Sequence, residues 1–467
     1  MEPAPTHFDH VLIGTGQATG TLIAGLPDGE TIAVVEGGAI GGTCVNAGCT
    51  PTKTLVASAR VAQLARRGAE YGVATGDVAV DFAAVMARMN RVRHGSRDGL
   101  ARYLVAKPNV TLLRGWGRFT GPKTVQVGDR SIRGERVYLN VGARAAVPAI
   151  PGLDSVPWLD NVRVLDLERL PEHLIVVGAS YIALELGQVF RRFGARVTVL
   201  EAAPRFLGRE DEDVADEVRA LLEREGIQVE VGVGVERVAA EGEGVRVELA
   251  DGRAVVGSHL LVATGRRPNT DRLDAHLAGI ELDARGTVVV DDRTRTSAPG
   301  VYALGDVNGR GAFTHTSVHD AQVVLDLLRD GDGGSEAPRT IAERNVVYAL
   351  FTDPPLGRVG LTEAQAVAAG HRVLRAVKPM ASISRAKEMG ETHGFVKVLV
   401  DADTDRLLGA SVLGVGGDEV VNLFALAMSA GLTTAEFRRA VLVHPTVSEL
   451  MPWVLAALKP VAPKAAA

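Results

Sequence analysis

Two cysteines, Cys44 and Cys49, are the only thiols in a chain of 467 residues, and they stand five positions apart. Three chemistries suit such a pair: a dithiol–disulfide redox couple, part of a metal chelate completed by a distant histidine, or two inert buried thiols. A disulfide framework needs more cysteines, and a structural zinc site usually takes four ligands. On a regular helix five residues rise about 7.5 Å, which is long for a disulfide. Bridging Cys44 to Cys49 therefore requires an irregular turn, and Gly48 can supply one. A strained bridge beside a cofactor in a reducing compartment is a catalytic device more often than a structural staple.

The elements around the pair supply such a cofactor setting. Residues 8–20 read as an apolar strand, a glycine turn (Gly14-Thr15-Gly16) and a helix, and residues 31–36 as a buried-type strand ending in Glu36. The same pattern returns as the strand from His173, the turn Gly178-Ala179-Ser180, the helix from Tyr181, and the strand Arg196 to Glu201. Each unit has the form of a βαβ dinucleotide fingerprint with its acid about 20 residues beyond the first glycine. The glycines allow close backbone approach to a pyrophosphate, the helix aims its first amides there, and the acid accepts from a ribose diol. Both units depart from the full glycine pattern, with Thr19 at its third position in one and Ser180 at its second in the other. Their duplication outweighs those departures. The thiols follow the first unit directly, so a group bound on that unit lies near them.

Composition excludes several other classes. Apolar residues make up 46% and charged residues 23%, with 51 basic against 56 acidic side chains, a net charge of −5. That balance supports packed cores and argues against a nucleic-acid groove or a polybasic membrane surface. No run of about 18 apolar residues is present to span a membrane. The start, Met1 to Pro5, has neither a basic nor an apolar leader segment, so a cytoplasmic location is expected. At roughly 150 residues per domain the length predicts about three domains. Pro148-Ala-Ile-Pro-Gly152 reads as a rigid crossing, and Asp330 to Pro338 as a turn-rich domain boundary. Beyond it the strands at 396–400 and 408–413 predict an antiparallel sheet. Helices are expected from Glu419 to Ala430 and, opened by the capping box Thr433-x-x-Glu436, from Ala435 onward. The tail from Lys459 reads as frayed.

The segment Gly41-Gly-Thr-Cys44-Val-Asn-Ala-Gly-Cys49-Thr-Pro-Thr-Lys53 resembles the redox motif of the FAD-dependent pyridine nucleotide–disulfide oxidoreductases, in the branch of glutathione reductase, lipoamide dehydrogenase and mercuric reductase. Ala263 to Asn269, Val301 to Asp306 and His444-Pro-Thr-Val-Ser-Glu449 match three further motifs of that family in order and spacing, so the resemblance covers almost the whole chain. It implies an α/β fold of two Rossmann-like dinucleotide-binding domains and an α+β dimerisation domain. The division it implies is 1–150 with 271–337 for FAD, 151–270 for NAD(P), and 338–467 for the interface.

The resemblance also implies roles. Gly14, Gly16, Glu36, Thr43, Lys53, Gly305 and Asp306 belong to the FAD site; Gly178, Tyr181, Glu185, Glu201 and Gly265 belong to the NAD(P)H and flavin-facing side. Cys49 is the sulfur nearer the flavin, Cys44 the interchange thiol that attacks the acceptor. His444, oriented by Glu449, is the acid/base, with an intrinsic pKa suited to both tasks near neutrality. In the family this histidine comes from the other subunit, which implies a homodimer. Lys53 and Glu185 pair near the flavin, and Tyr181 gates the nicotinamide pocket. Glu201 favours a free ribose 2′-hydroxyl and so NADH, although Arg205 and Arg209 just beyond it suit the phosphate of NADPH. Thr50-Pro-Thr-Lys-Thr and Phe313-Thr-His-Thr-Ser-Val-His look most like mercuric-reductase-like flavoproteins and their copper-reducing relatives. The chain nevertheless lacks the extra C-terminal cysteines of mercuric reductases and keeps the His444/Glu449 pair that disulfide reductases need. The expected acceptor is thus a small disulfide or a metal ion as substrate, with no resident metal. A lipoamide or low-molecular-weight disulfide reductase and a redox-sensing flavoprotein module are the alternatives.

Overall fold

The structure, a computed structural model, describes residues 6–330 and 339–461. The expected boundary at Asp330 to Pro338 lies, from residue 331, outside the described residues, as does the tail from residue 462.

The chain opens with β1 (Thr6–Ile13), α1 (Gln17–Gly25) and β2 (Ile32–Glu36), then α2 (Gly42–Ala47) and α3 (Cys49–Arg66), separated by Gly48 alone. The 25-residue α4 (Phe82–Ala106) begins where Asp81 accepts a hydrogen bond from the Ala84 amide. Four strands follow, β3 (Val110–Arg114), β4 (Gly117–Gly121), β5 (Thr124–Val127) and β6 (Arg130–Leu139). The sheet order is β3-β2-β1-β6-β5-β4, with β1 parallel to both β2 and β6. Val11, Leu12, Val34 and Val137 are fully buried, the unbroken apolar reading of parallel strands covered on both faces.

After β7 (Ala143–Ala145) the plan repeats in β8 (His173–Val177), α5 (Tyr181–Phe193), β9 (Arg196–Glu201), α6 (Glu212–Arg224) and β10 (Gln228–Val231). The antiparallel ribbon β11 (Val235–Glu241), β12 (Gly244–Leu249) and β13 (Ala254–Gly257) precedes β14 (His259–Val262), which closes a parallel sheet of order β10-β9-β8-β14. Strand β15 (Arg266–Pro268) then pairs antiparallel with β7. It returns the chain to the first sheet, where β16 (Val301–Ala303) lies parallel to the end of β6. Helix α7 (Thr314–Asp330) packs against α1. The final sheet has order β17 (Val347–Leu350), β18 (Leu356–Gly360), β21 (Leu407–Leu413), β20 (Phe395–Asp401), β19 (Val373–Pro379), β22 (Lys459–Pro460), all antiparallel.

A helix at Gly417–Ser429 lies across β18 and β21, close to the expected span. The capping box at Thr433 and Glu436 is formed, yet it opens a single turn, Thr434–Phe437, rather than a longer helix. Val441 and Val443 beyond it are 98% and 75% exposed. With no core to bury them in this chain, a longer helix gains nothing from packing.

One apolar cluster fixes the thiol-bearing helix. Leu55 and Ala59 of α3, Phe82, Met86 and Met89 of α4, and Leu184, Phe190 and Phe193 of α5 pack with Leu350, Leu356 and Leu413 of the last sheet. Each large side chain buried there contributes about 1.5–3 kcal/mol, so α3 is held from three parts of the chain. A polar tie does the same at the first nucleotide turn. The buried Asn140 amide donates to Leu304 O at 3.0 Å and Ser317 Oγ at 3.2 Å, and its oxygen faces Thr19 Oγ1 at 3.4 Å. Asn140→Ala leaves the Leu304 carbonyl unpaired, a loss of about 1–3 kcal/mol. We expect a lowered thermal midpoint of the flavin-loaded protein, measured by following flavin release.

Candidate active site

Gly48 decides the geometry of the thiols. It sits between α2 and α3 with φ −139° and ψ −116°. A Cβ there would stand 2.9 Å from Thr43 O and 3.3 Å from the Cys44 Cα, so no larger residue fits this break without moving the Cys44 turn. Asn46 staples that turn by donating to Ile40 O at 2.9 Å and Gly42 O at 3.0 Å. Buried Asn161, far along the chain, donates to Ala47 O at 2.8 Å. The result is the irregular turn that the spacing requires, with Cys44 in α2 and Cys49 opening α3.

Both thiols are free and stand side by side, close enough for the Cys44 thiol to bear on the Cys49 sulfur as a hydrogen-bond donor. That bond lowers the Cys49 pKa to about 6, aided by the Thr314 hydroxyl at 3.3 Å and by the Lys53 ammonium, against the opposing effect of burial. Cys44 is pushed upward by the same hydrogen bond and by burial. Thr314 is the first residue of α7, so the partial positive end of that helix also faces the Cys49 sulfur. The pair is thus asymmetric, with Cys49 the sulfur favoured as thiolate.

The two nucleotide turns share the same backbone bonds. The Gly14 amide donates to Val35 O and the Gly178 amide to Leu200 O, both at 2.8 Å. Glu36 accepts from the Thr15 amide at 2.9 Å and the Gly38 amide at 2.6 Å. Glu201 likewise accepts from the Ala179 amide and the Ala203 amide, each at 2.8 Å. Gly14 and Gly178 have φ of +96° and +100°, and a Cβ on either would lie 2.3–2.5 Å from the carbonyl of Asn140 or Ala263. Each acid is therefore locked at its turn with its carboxylate in the cleft.

Lys53 and Glu185 form an ion pair at 2.7 Å, with the ammonium 4.5 Å from the centre of the Phe351 ring. The second Glu185 oxygen accepts from the Phe351 amide at 2.9 Å. Tyr181 meets Phe313 and Tyr348 edge-on, at centroid distances of 5.6 and 5.7 Å. Asp306 lies 3.3 Å from Arg266, and burial raises its pKa.

A continuous cleft of 3540 Å³ joins these features. It is lined by Gly14, Gly16, Glu36, Thr43, Cys44, Cys49, Lys53, Gly178, Tyr181, Glu185, Glu201, Gly265 and Asp306, together with Arg205 and Arg209. Gly305 lies beneath, its amide donating to buried Asp320 at 2.8 Å. His444 and Glu449 are not brought to the cleft. They pair with each other at 2.9 Å, and the imidazole is 76% exposed. Thr314, Asn140, Asn161 and Phe351 were not singled out by the sequence. Only Thr314 carried a sign, since it falls within the stretch quoted for its likeness to mercuric-reductase-like proteins.

Comparison with known proteins bears on these features as a set. Residues 8–321 match the pyridine nucleotide-disulphide oxidoreductase family, and residues 346–455 match its dimerisation domain. The chain belongs to the pyridine nucleotide-disulfide oxidoreductases. It is 36% identical over 451 residues to the probable pyridine nucleotide-disulfide oxidoreductase RclA of Escherichia coli strain K12, covering 95% of this chain and 97% of that one. It is 32% identical to a mercuric reductase of Bacillus cereus (95% and 70% covered) and 34% identical to a dihydrolipoyl dehydrogenase of Cupriavidus necator (95% and 96% covered). Among solved structures, the Cu(II) complex of the HOCl-induced flavoprotein disulfide reductase RclA from Escherichia coli superposes with a TM-score of 0.88 at 35% identity, covering 97% of this chain and 99% of that one.

Membership makes the protein a flavoenzyme that binds FAD and takes electrons from NAD(P)H. The cleft fits these groups. Glycine backbones line its phosphate-facing turns, two locked carboxylates suit ribose diols, and the Arg266 Nε beside Asp306 is buried with no hydrogen-bond partner. Thr314→Val removes one donor to the Cys49 sulfur. In the two-electron-reduced protein we expect the thiolate absorbance to titrate at a higher pH than in the wild type, where it is lost as pH falls through about 6.

Proposed function

We propose that the protein is an NADH-dependent reductase of a small disulfide, working as a homodimer with composite sites. Two observations carry this: the free Cys44 and Cys49 thiols side by side within the nucleotide cleft, and an intact His444–Glu449 pair displayed away from it. In this reading residues 1–150 with 271–337 hold FAD, 151–270 hold the nicotinamide nucleotide, and 338–467 form the interface. Exposed Val441, Val443 and Trp453 flank His444 and Glu449 in sequence, and covering them with a second copy brings its His444 to the Cys44 of this one.

Bound FAD supplies the transfer of an electron pair from NADH to the Cys44–Cys49 disulfide. The residues of the chain then do the following. Cys49 keeps the thiolate, stabilised by Thr314 and Lys53. His444 of the second copy removes the Cys44 proton, and the Cys44 sulfur attacks the acceptor disulfide, forming a mixed disulfide and releasing one thiolate. His444 protonates that leaving group. The Cys49 thiolate attacks Cys44, closing the intramolecular bridge and expelling the second thiolate, which takes up the second proton. One NADH and one proton thus convert one disulfide to two thiols. Glu449, on the imidazole Nδ1, fixes the tautomer and stabilises the cation.

Tyr181 closes the nicotinamide pocket as a lid. Glu201 favours NADH, because its carboxylate sits where a 2′-phosphate would be repelled. The Lys53–Glu185 pair tunes the flavin, and a reducing cytoplasm suits a bridge that must reopen at each turnover.

A second reading takes a metal ion as substrate. It is favoured by the mercuric reductases among the relatives and by the Cu(II) complex of the structural relative. Against it, Cys44 and Cys49 are the only thiols available to receive a soft metal.

His444→Gln tests the proton shuttle. Turnover with a disulfide acceptor is expected to fall by about 10²–10⁴, while anaerobic reduction of the flavin by NADH keeps its rate; equal loss in both steps contradicts the role. Cys49→Ser is expected to abolish the long-wavelength absorbance of a thiolate against oxidised flavin, and Cys44→Ser to retain it. Persistence of that band in the Cys49 variant removes its assignment as the flavin-side sulfur.

A further inference from the structure

Past Glu201 the chain runs through a loop, residues 202–211, before α6 begins. Ala203, at its start, is fixed on both sides: its amide donates to Glu201 at 2.8 Å, and its carbonyl accepts from the Gly232 amide at 2.9 Å. At its end the buried Glu210 and Asp211 bind the last domain instead. Tyr348 on β17 donates its hydroxyl to Glu210 Oε1 at 2.5 Å, and the Nε of Arg358 on β18 lies 3.5 Å from Oε2. Asp211 stands at the N-cap of α6 yet makes no side-chain cap there. Its Oδ1 accepts instead from the Glu363 amide at 2.9 Å, at the start of the short helix Glu363–Ala368. Lys397 on β20, its side chain 4% exposed, reaches Asp211 at 3.2 Å, Asp213 at 2.9 Å and Glu363 at 3.2 Å.

These ties override local preference. An aspartate at an N-cap ordinarily satisfies the first amides of its own helix. Leu207 holds φ +44°, a left-handed conformation that costs a leucine energy and lasts only where its surroundings over-determine it. One buried ammonium among three carboxylates adds little stability over apolar packing of the same volume. What the network does fix is the path of the loop.

The anchored end carries Arg209, directly before Glu210. Arg209 is exposed, lines the cleft, and has no ion pair or hydrogen bond among the described residues. The Tyr348 ring, whose hydroxyl holds Glu210, also meets Tyr181 at 5.7 Å, and Tyr181 is the first residue of α5. The anchor thus stands by the N-terminus of α5, which in this fold takes the diphosphate of a dinucleotide. A guanidinium offers forked donors to phosphate oxygens.

We propose that the last domain governs nucleotide affinity from outside the nucleotide fold: Tyr348, Arg358 and Lys397 are positioning residues that hold the loop so that Arg209 meets the diphosphate of NADH. The inference rests on the reading of Glu201 and its turn as the NADH site.

Calorimetric titration of ADP-ribose into the oxidised, FAD-loaded protein reads this contact with no redox step, and leaves out the nicotinamide. Tyr348→Phe deletes one hydroxyl and keeps every ring and charge. We expect Y348F to bind ADP-ribose about five-fold more weakly, the weight of one hydrogen bond. Lys397→Met, whose flavin content shows whether it has folded, should weaken binding likewise. Arg209→Ala should cost at least as much, and Y348F should add nothing in that background. Wild-type affinity in Y348F or in flavin-loaded K397M, with only the thermal midpoint lowered, overturns the anchor and leaves a tie that is structural alone. A Y348F loss that persists in full once Arg209 is gone also overturns it. Those results stand apart from failure of the underlying reading: ADP-ribose binding that ignores Glu201→Ala removes this turn as the nucleotide site, and the anchor with it, whereas weakened binding in E201A beside an unchanged Y348F removes the anchor alone.

Discussion

The meeting of the two thiols depends on one break in the backbone. Gly48 ends α2 and starts α3 within a single residue, which turns a spacing too long for a bridge into two neighbouring thiols. The same break points the start of α3 at the start of α7, so Cys49 receives the Thr314 hydroxyl, the end of a helix and the Lys53 ammonium together. The asymmetry between a stabilised thiolate and a neighbouring thiol follows from that placement. Two unlike sulfurs are thereby held side by side in the nucleotide cleft.

The nucleotide folds supply the frame. Their glycine turns and terminal acids repeat in hydrogen-bond pattern as well as in sequence, down to which oxygen of Glu36 or Glu201 meets which amide. Between them, α5 carries Tyr181 and Glu185 toward the cleft. Gln188 and Arg192, further along the same helix, bind Asp353 of the last domain at 2.8 and 2.6 Å. Helix α5 is therefore registered against both the thiol helix and the last domain.

The sequence discloses what is local. The thiol motif, the two glycine turns and their acids are each set by steric demands within a few dozen residues, and all fall where the spacing places them. The capping box at Thr433 was also legible, but the length of its helix was not, because length depends on burial that this single chain does not provide for Val441 and Val443. Thr314, Asn140, Asn161 and the Tyr348–Glu210 pair reach the site from a distant helix, strand and loops. Threonine, asparagine and tyrosine carry no motif of their own, and only topology brings them there. His444 shows the opposite case: its motif is plain in sequence, yet the folded chain leaves it facing solvent.

The central claim, reduction of a disulfide by the Cys44–Cys49 pair with His444 as proton shuttle, is tested most directly by anaerobic oxidation of NADH with oxidised lipoamide and with Hg(II) in otherwise identical assays. Sustained turnover with lipoamide and little with the metal is expected. Sustained turnover with Hg(II) and none with lipoamide contradicts it, and shows instead that two thiols suffice to reduce a metal ion without the proton shuttle.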